Sequence, residues 1–292
     1  MKRMLFAFCL ALSIMTMAQE GPQVGWTRTE PAAEPEFHLF HSDLAFNLPT
    51  AETIRKGEMQ FEVAHRFQEP IQSGHETYYG LDGHANTRLS FGYAFTDRIT
   101  ATLGRSGVFG NVDLRIKYRF LELKGTVPVM MAAQGGAAWN SNFEPPEADG
   151  GGFDGDQMQY YTGLIFNTML GGRVGLGIVP AYVANSDLFD PSDPDTFAVG
   201  VYAKVRLGRS FSVLAEMNHP FSGYDRGHDA VAVGFEMETG GHFFKMMVTN
   251  SVFLNPSTYL AGSDVPFADD EWRFGFIITR LLGGSRGRGP QD

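Results

Sequence analysis

The sequence predicts a transmembrane antiparallel β-barrel, an up-and-down sheet of about twelve strands closed on itself, and three observations lead there. A leader for export opens the chain, and no later stretch offers the ~20 consecutive apolar residues that a spanning helix needs. Segments of about ten residues alternate apolar and polar side chains with period two, the pattern of strands that bury one face. The connections between them are alternately short and long, as in barrels with tight periplasmic turns and longer outer loops.

The leader consists of Lys2 and Arg3, an uncharged and mostly apolar run from Met4 to Met15, and the small-x-small site Thr16-Met17-Ala18. Residues 1–18 therefore read as a signal peptide cleaved after Ala18. The run is too short for a membrane anchor and lacks a basic stop-transfer flank. Cys9, the only cysteine of the 292 residues, falls inside this leader without the small residue before it that a lipoprotein site requires. The mature chain then has no thiol, which excludes a disulfide scaffold and a cysteine-based zinc site. Loss of Lys2 and Arg3 takes the formal charge from −10 to −12, the wrong sign for a nucleic-acid partner.

Residues 19–48, with Pro22, Pro31 and Pro35, read as a periplasmic N-terminal tail. A short helical turn follows, with Thr50 as its cap, Glu52 in its first turn, Arg55 and Lys56 in its last, and Gly57 ending it. Seven residues are too few to be helical alone, so this turn must dock on the rim or mouth of the barrel.

The barrel occupies residues 49–282, and its clearest strand is 111–121. There Val112, Leu114, Ile116, Tyr118 and Phe120 share one face and Asp113, Arg115, Lys117 and Arg119 the other. Segments 59–68, 197–207, 231–238 and 271–279 alternate as cleanly. Weaker alternation marks 85–95, 98–106, 127–138, 157–169, 173–184, 211–219 and 242–252, the last with an ambiguous facing. The brief connections lie near 97, 124, 171, 209 and 240; those at 69–84, 139–156, 185–195, 220–227 and 253–270 are long, and only 107–110 breaks the alternation. Both termini then lie on the periplasmic side. A soluble sandwich shows the same period with its apolar face inward. Export, one-sided loops and aromatics near strand ends, such as Tyr93, Phe95, Phe211 and Trp272, favour the membrane. Residues 283–292, glycines with Arg286 and Arg288, read as a disordered tail.

Residue-level likeness points the same way. The runs LPTAETIRKGEMQFEVAHRFQ, GLDGHANTRLSFGYAFTDRITATLGRS and DLRIKYRF, whose strongest words are His65–Phe67, Gly80–Gly83 and Lys117–Arg119, resemble the barrel family called domain of unknown function 5777, found in Bacteroidota and relatives. The resemblance implies an outer-membrane barrel and brings no catalytic residues.

The polar face carries Glu62, Arg66, Arg88, Asp113, Arg115, Lys117, Arg119, Lys204, Arg206, Glu216, Glu236 and Glu238. As pore-lining groups they set basic early strands against acidic later ones and suit passive passage of small polar or ionic solutes. As paired groups they brace or close the lumen, and the segment before the first strand is a candidate plug. The expectation is thus a porin-like channel, with a closed structural or partner-binding platform as the alternative. Outer-membrane lipid is the expected surrounding, and no cofactor is implied.

Acidic loops bearing Glu144, Glu147, Asp149, Asp154 and Asp156, then Asp187, Asp190, Asp193 and Asp195, then Asp264, Asp269, Asp270 and Glu271 lack the spacing of a calcium loop, so no metal site is expected. Nor is an enzyme: His65 on the lipid-facing parity has Val63 and Phe67 as same-strand neighbours and no nucleophile among them, and Asp225, His228 and Asp229 form at most a rim carboxylate–histidine group.

Overall fold

Twelve antiparallel strands form one closed barrel in the computed structural model, each strand pairing with its sequence neighbours and the first with the last. The structure describes residues 38–144, 155–189, 195–222 and 227–283. All belong to the second of the two units into which the chain divides, which begins at residue 37. The expected signal peptide, most of the expected proline-rich tail, the expected C-terminal tail beyond Gly283 and the acidic positions Glu147, Asp149, Asp154, Asp190, Asp193 and Asp225 lie outside the described residues.

The strands are β1 (Met59–Phe67), β2 (Ala85–Thr96), β3 (Ile99–Ser106), β4 (Asn111–Leu123), β5 (Val129–Asn140), β6 (Met158–Leu170), β7 (Val174–Ala184), β8 (Thr196–Arg206), β9 (Phe211–Ser222), β10 (Ala230–Glu238), β11 (His242–Thr249) and β12 (Arg273–Leu282). Every expected segment becomes a strand. Closure runs β1 against β12 from Met59↔Leu282 to Arg66↔Gly275. Two-residue hairpins need left-handed backbone. Gly171 and Gly172 supply it between β6 and β7, as do Gly240 and Gly241 between β10 and β11. The tight turns fall at one end of the barrel, and the longer loops, with the short 107–110 connection among them, at the other.

Side chains that point outward are large and apolar. On β2 they are Leu89, Phe91, Tyr93 and Phe95, and on β4 Leu114, Ile116, Tyr118 and Phe120, all exposed. A soluble sandwich would bury this face, and here it encircles the barrel as a membrane barrel's must. The ambiguous segment 242–252 resolves with Phe243, Lys245 and Met247 buried inside and Met246 exposed outside. Beyond Thr249 the chain bends into the lumen and forms one helix, α1 (Pro256–Ala261), whose residues Ser257 to Ala261 are all buried. Proline in its first turn lacks only a donor that a helix start leaves free.

The N-terminal segment departs from expectation. Residues 38–48 are not a free tail, for Leu39, Phe40, Leu44, Phe46 and Leu48 are buried within the barrel. No helical turn forms over 50–57. Thr50 Oγ1 donates to the Ser42 carbonyl at 2.7 Å, and Glu52 accepts the amides of Leu39 and Phe40 at 2.7 and 3.0 Å. Tertiary partners outcompete a helix too short to nucleate. Gly57 alone keeps the expected left-handed turn, at φ 79°.

Candidate functional site: the filled lumen

All twelve sequence-predicted polar residues lie on inward-facing positions of the wall. Glu62, Arg66, Arg88, Asp113, Arg115, Lys117, Lys204, Glu216 and Glu236 are buried, whereas Arg119, Arg206 and Glu238 are half-buried near the tight-turn end. What faces them is the protein's own chain.

Residues 38–57 form an irregular hairpin inside the barrel. Its legs are joined where Ala45 N donates to the Leu48 carbonyl at 2.8 Å and Thr50 N to that of Asp43 at 2.9 Å, with Asn47 at the tip. Both legs begin and end at the tight-turn end. Arg206 donates to the carbonyls of His38 and Leu39 at 3.2 and 3.1 Å, and Lys56 N donates to Asp97 Oδ1, in the β2–β3 turn, at 2.8 Å.

Non-helical backbone at membrane depth is stable only when its polar groups find protein partners. Charged wall residues supply them. Lys245 Nζ donates to Ser42 Oγ and to the carbonyls of Leu44 and Ala45 at 2.7, 2.6 and 2.6 Å. Lys117 Nζ donates to the carbonyls of Asp43, Thr50 and Glu52 at 2.8, 2.9 and 3.0 Å. Glu216 does the converse, accepting Phe46 N at 2.9 Å, Asn47 N at 2.9 Å and Leu48 N at 3.3 Å. Two ammonium groups and one carboxylate thus satisfy the hairpin's carbonyls and amides. Charge-assisted bonds of this kind are roughly twice as strong as neutral ones.

The other side of the hairpin is apolar. Phe40 meets Tyr202 edge-on with ring centroids 5.3 Å apart, and Leu39, Phe46 and Leu48 join Met130, Ala132, Ile165, Val179, Ala181 and Leu214 in one buried cluster. Glycines on β7 and β8 make room for it. A Cβ on Gly175 would lie 2.9 Å from the Phe40 ring, and one on Gly200 would lie 2.6 Å from Leu48 Cδ2. Burying a Leu or Phe side chain contributes about 1.5–3 kcal/mol, so this plug is seated as a core is seated.

From the long-loop end, α1 completes the filling. Asn218 Nδ2 donates to the carbonyls of Tyr259 and Leu260 at 3.1 and 3.0 Å, and the Tyr259 hydroxyl donates to Glu216 Oε1 at 2.9 Å. Burial, reinforced by the Glu216 charge, holds that phenol in its protonated form.

The remaining charges pair along the wall or with the hairpin. Arg88 grips Asp113 at 2.8 Å, Glu236 joins Lys204 and lies 3.5 Å from Lys245, and Arg115 reaches Asp43 at 3.2 Å. For Asp43, burial pushes the carboxyl up, but Lys117, Arg115 and the Gln60 amide more than reverse it, so it ionises below its ordinary range. Glu52 behaves likewise: burial raises it, but His38, the Phe40 amide and Arg119 outweigh that and bring it below its ordinary range. Lys245, Asp43 and Glu52 were absent from the sequence-predicted set. Irregular plug residues carry no periodic signal, and the register of β11 was ambiguous.

The histidines sit elsewhere. His65 faces outward, stacked on Phe276 at 4.8 Å, with Nδ1 3.1 Å from Thr87 Oγ1 on β2, a cross-strand neighbour invisible along one strand. Of the rim group, Asp229 contacts His219 at 2.5 Å, while His228 pairs through its backbone with Ser263. Asp264 and Glu271 both reach Arg273, at 3.1 and 3.3 Å. Among the described residues no three His, Cys, Asp or Glu side chains converge as metal ligands.

Fold and lumen together define a membrane β-barrel filled by its own chain. The chain belongs to the family described as membrane bound beta barrel domain (DUF5777), which it matches over residues 40–282. That match takes in most of the buried hairpin as well as the wall. No curated protein matches the chain. Among solved structures it is similar to the NanC porin at 11% identity, covering 76% of this chain and 98% of that one with a TM-score of 0.45. It is also similar to the COG4313 outer membrane channel from Pseudomonas putida at 14% identity, covering 80% and 98% with a TM-score of 0.42. A third likeness is to an active-site mutant of outer membrane phospholipase A from Escherichia coli, at 11% identity, covering 84% and 95% with a TM-score of 0.44. These likenesses are of fold alone.

Proposed function

We propose that this protein is an outer-membrane barrel closed at rest by its N-terminal hairpin, with passage of small polar or ionic solutes conditional on displacement of that hairpin. The tight turns then face the periplasm, and the cleaved leader directs export. The observation that carries this reading is the engagement of Lys117, Lys245 and Glu216 with the plug backbone. Lys117 and Glu216, expected to line an open passive pore, together with Lys245 instead satisfy nine donor or acceptor contacts of the hairpin. No enzymatic role is proposed. The core-like packing of Phe40, Phe46 and Leu48 favours a second reading, a permanently closed barrel that serves as a structural or partner-binding platform in the membrane.

Planar-bilayer recording separates them. The full mature chain should insert without stepwise current, whereas Glu216→Gln combined with Lys245→Met, which removes two of the three clamps, should conduct. Steady current from the unaltered protein would overturn closure at rest. A folded, inserted and silent double variant would transfer the case to the platform.

A further inference from the structure

The plug is not held equally on all sides. Its apolar side rests on β7 and β8, through Gly175, Gly200 and Tyr202. On the wall of β3 to β6, by contrast, buried polar atoms lack partners: Thr100 Oγ1, Arg115 Nε, both amide atoms of Gln134 and the Tyr161 hydroxyl. These belong to two adjacent rows of the sheet, Thr100↔Lys117↔Gln134 and Arg115↔Gly136↔Tyr161. Asn111 Oδ1 on β4 is a further such atom, and in the rest of the wall, among the described residues, they are dispersed over β1, β8 and β9. A buried polar group without a partner forfeits its hydration, which water restores as soon as it enters. Hydration regained on opening is therefore greatest along β3–β6, where it offsets loss of the Lys117 and Arg115 bonds to the hairpin, and least along β7–β8, where the contact is apolar.

Building on the reading of a barrel closed at rest, we propose that the plug opens by lifting off the β3–β6 wall while its apolar side stays seated on β7 and β8, and that the passage so exposed is selective for small anions. The charges decide the selectivity. Asp43, which faces Arg115, and Glu52, 4.0 Å from Arg119, belong to the hairpin and leave with it. Lys117 loses its three plug carbonyls and keeps its charge. Asp113 remains, already held by Arg88. Glu122, 3.8 Å from Arg119, marks the tight-turn mouth. The carboxylates of Glu216 and Glu236 stand across the lumen on β9 and β10, the former under the hairpin's backbone. A wall with Arg115 and Lys117 unmatched, and Arg119 sharing Glu122 at the mouth, concentrates anions in a narrow, low-dielectric passage.

The test is Asp43→Asn in the full mature chain, recorded in a planar bilayer across a tenfold potassium chloride gradient, with heat-modifiable gel mobility reporting the folded barrel. Stepwise current is expected where the unaltered protein is silent. Chloride should be favoured over potassium on the order of tenfold, the low end of the enrichment a cleft of one sign produces. Adding Arg115→Gln and Lys117→Gln should bring the ratio towards one. If Asp43→Asn does not fold, Glu52→Gln loosens the same side and replaces it. A folded variant that stays silent, a potassium preference, or a chloride preference untouched by the added substitutions overturns the proposal. Current from the unaltered protein would instead overturn closure at rest, so the two failures are distinct.

Discussion

The Tyr259 hydroxyl and the Glu216 carboxylate meet at 2.9 Å in the middle of the barrel, and through that bond the helix entering from the long-loop end touches the group that holds the hairpin entering from the other. Glu216 is buried, and its charge is met by backbone amides and a phenol within hydrogen-bond distance. Glutamine keeps one acceptor oxygen and puts an NH2 in place of the other, so tip amides bonded to the lost oxygen face a donor. Glu216→Gln should lower stability by about 2–4 kcal/mol, since bonds to charged groups contribute ~1.5–3 kcal/mol and orphaned donors add to the loss. Tyr259→Phe, which removes one of the bonds, should cost about 1 kcal/mol. Denaturant-dependent loss of the heat-modifiable gel form measures both; equal effects would deny Glu216 its role as the junction.

Lys245 offers a sharper test of the clamp. With Glu236 at 3.5 Å and three plug acceptors, it is bonded on all sides. Lys245→Met should destabilise by about 3–5 kcal/mol, the usual penalty for breaking a buried charged group's partnerships. The cost of Lys245→Met should fall when Glu236→Gln is already present, because no carboxylate then loses an ion-pair partner with Lys245. A strictly additive double-mutant cycle would show that the two do not act together.

Packing at Gly200 makes a steric prediction. Gly200→Ala places a methyl group 2.6 Å from Leu48 Cδ2, and overpacking of this kind costs about 1–3 kcal/mol. Shortening the opposing side chain in Gly200→Ala/Leu48→Ala should restore part of the loss. The stability of the double variant relative to Leu48→Ala alone is the informative comparison: Gly200→Ala should be harmless in that background.

Acidification should release the hairpin. Asp43 and Glu52 both ionise below the ordinary 3.8 and 4.5 of Asp and Glu side chains. A carboxyl that binds its proton less readily when docked than when free stabilises docking fully above its free value, and that contribution disappears as pH falls through the lowered, docked value. These two carboxyls thus add no pH dependence near neutrality, and their share of docking weakens below about 4. Hydrogen exchange of amides 39–54, corrected for the intrinsic pH dependence, reads this directly; uniform protection from neutral to acid would contradict it.

The wall was legible in the sequence; of its contents, only the candidacy of the segment before β1 as a plug was, and not its conformation or its partners. Alternation such as that of Val112 to Phe120 against Asp113 to Arg119 reports which side chains share a face, and that alone places Glu62, Arg115 or Glu236 inside. Period two says nothing about what a face meets. Residues 38–57 have neither period, so with Pro22, Pro31 and Pro35 just upstream they read as a tail and a capped helical turn, although Leu39, Phe40, Phe46 and Leu48 are the apolar content a plug requires. The inward glycines on β7 and β8 were the available hint: Gly175, Gly177 and Gly200 leave a strip of lumen wall without side chains, which suits something else occupying the space.

The bond from Lys245 to Ser42 spans 203 positions of sequence, and that from Glu216 to Phe46 spans 170. Contacts of such high sequence separation are the slowest to form, because the intervening loop must be closed before they reward the chain. The hairpin that is synthesised first therefore waits for partners synthesised near the end, and the interior is completed only when β9 to β11 have joined the sheet. Until then Lys245 and Glu216 are charges without a counterpart, so insertion of the wall and docking of the hairpin are coupled events, and a chain truncated after β8 would have a plug with neither its Glu216 nor its Lys245 clamp.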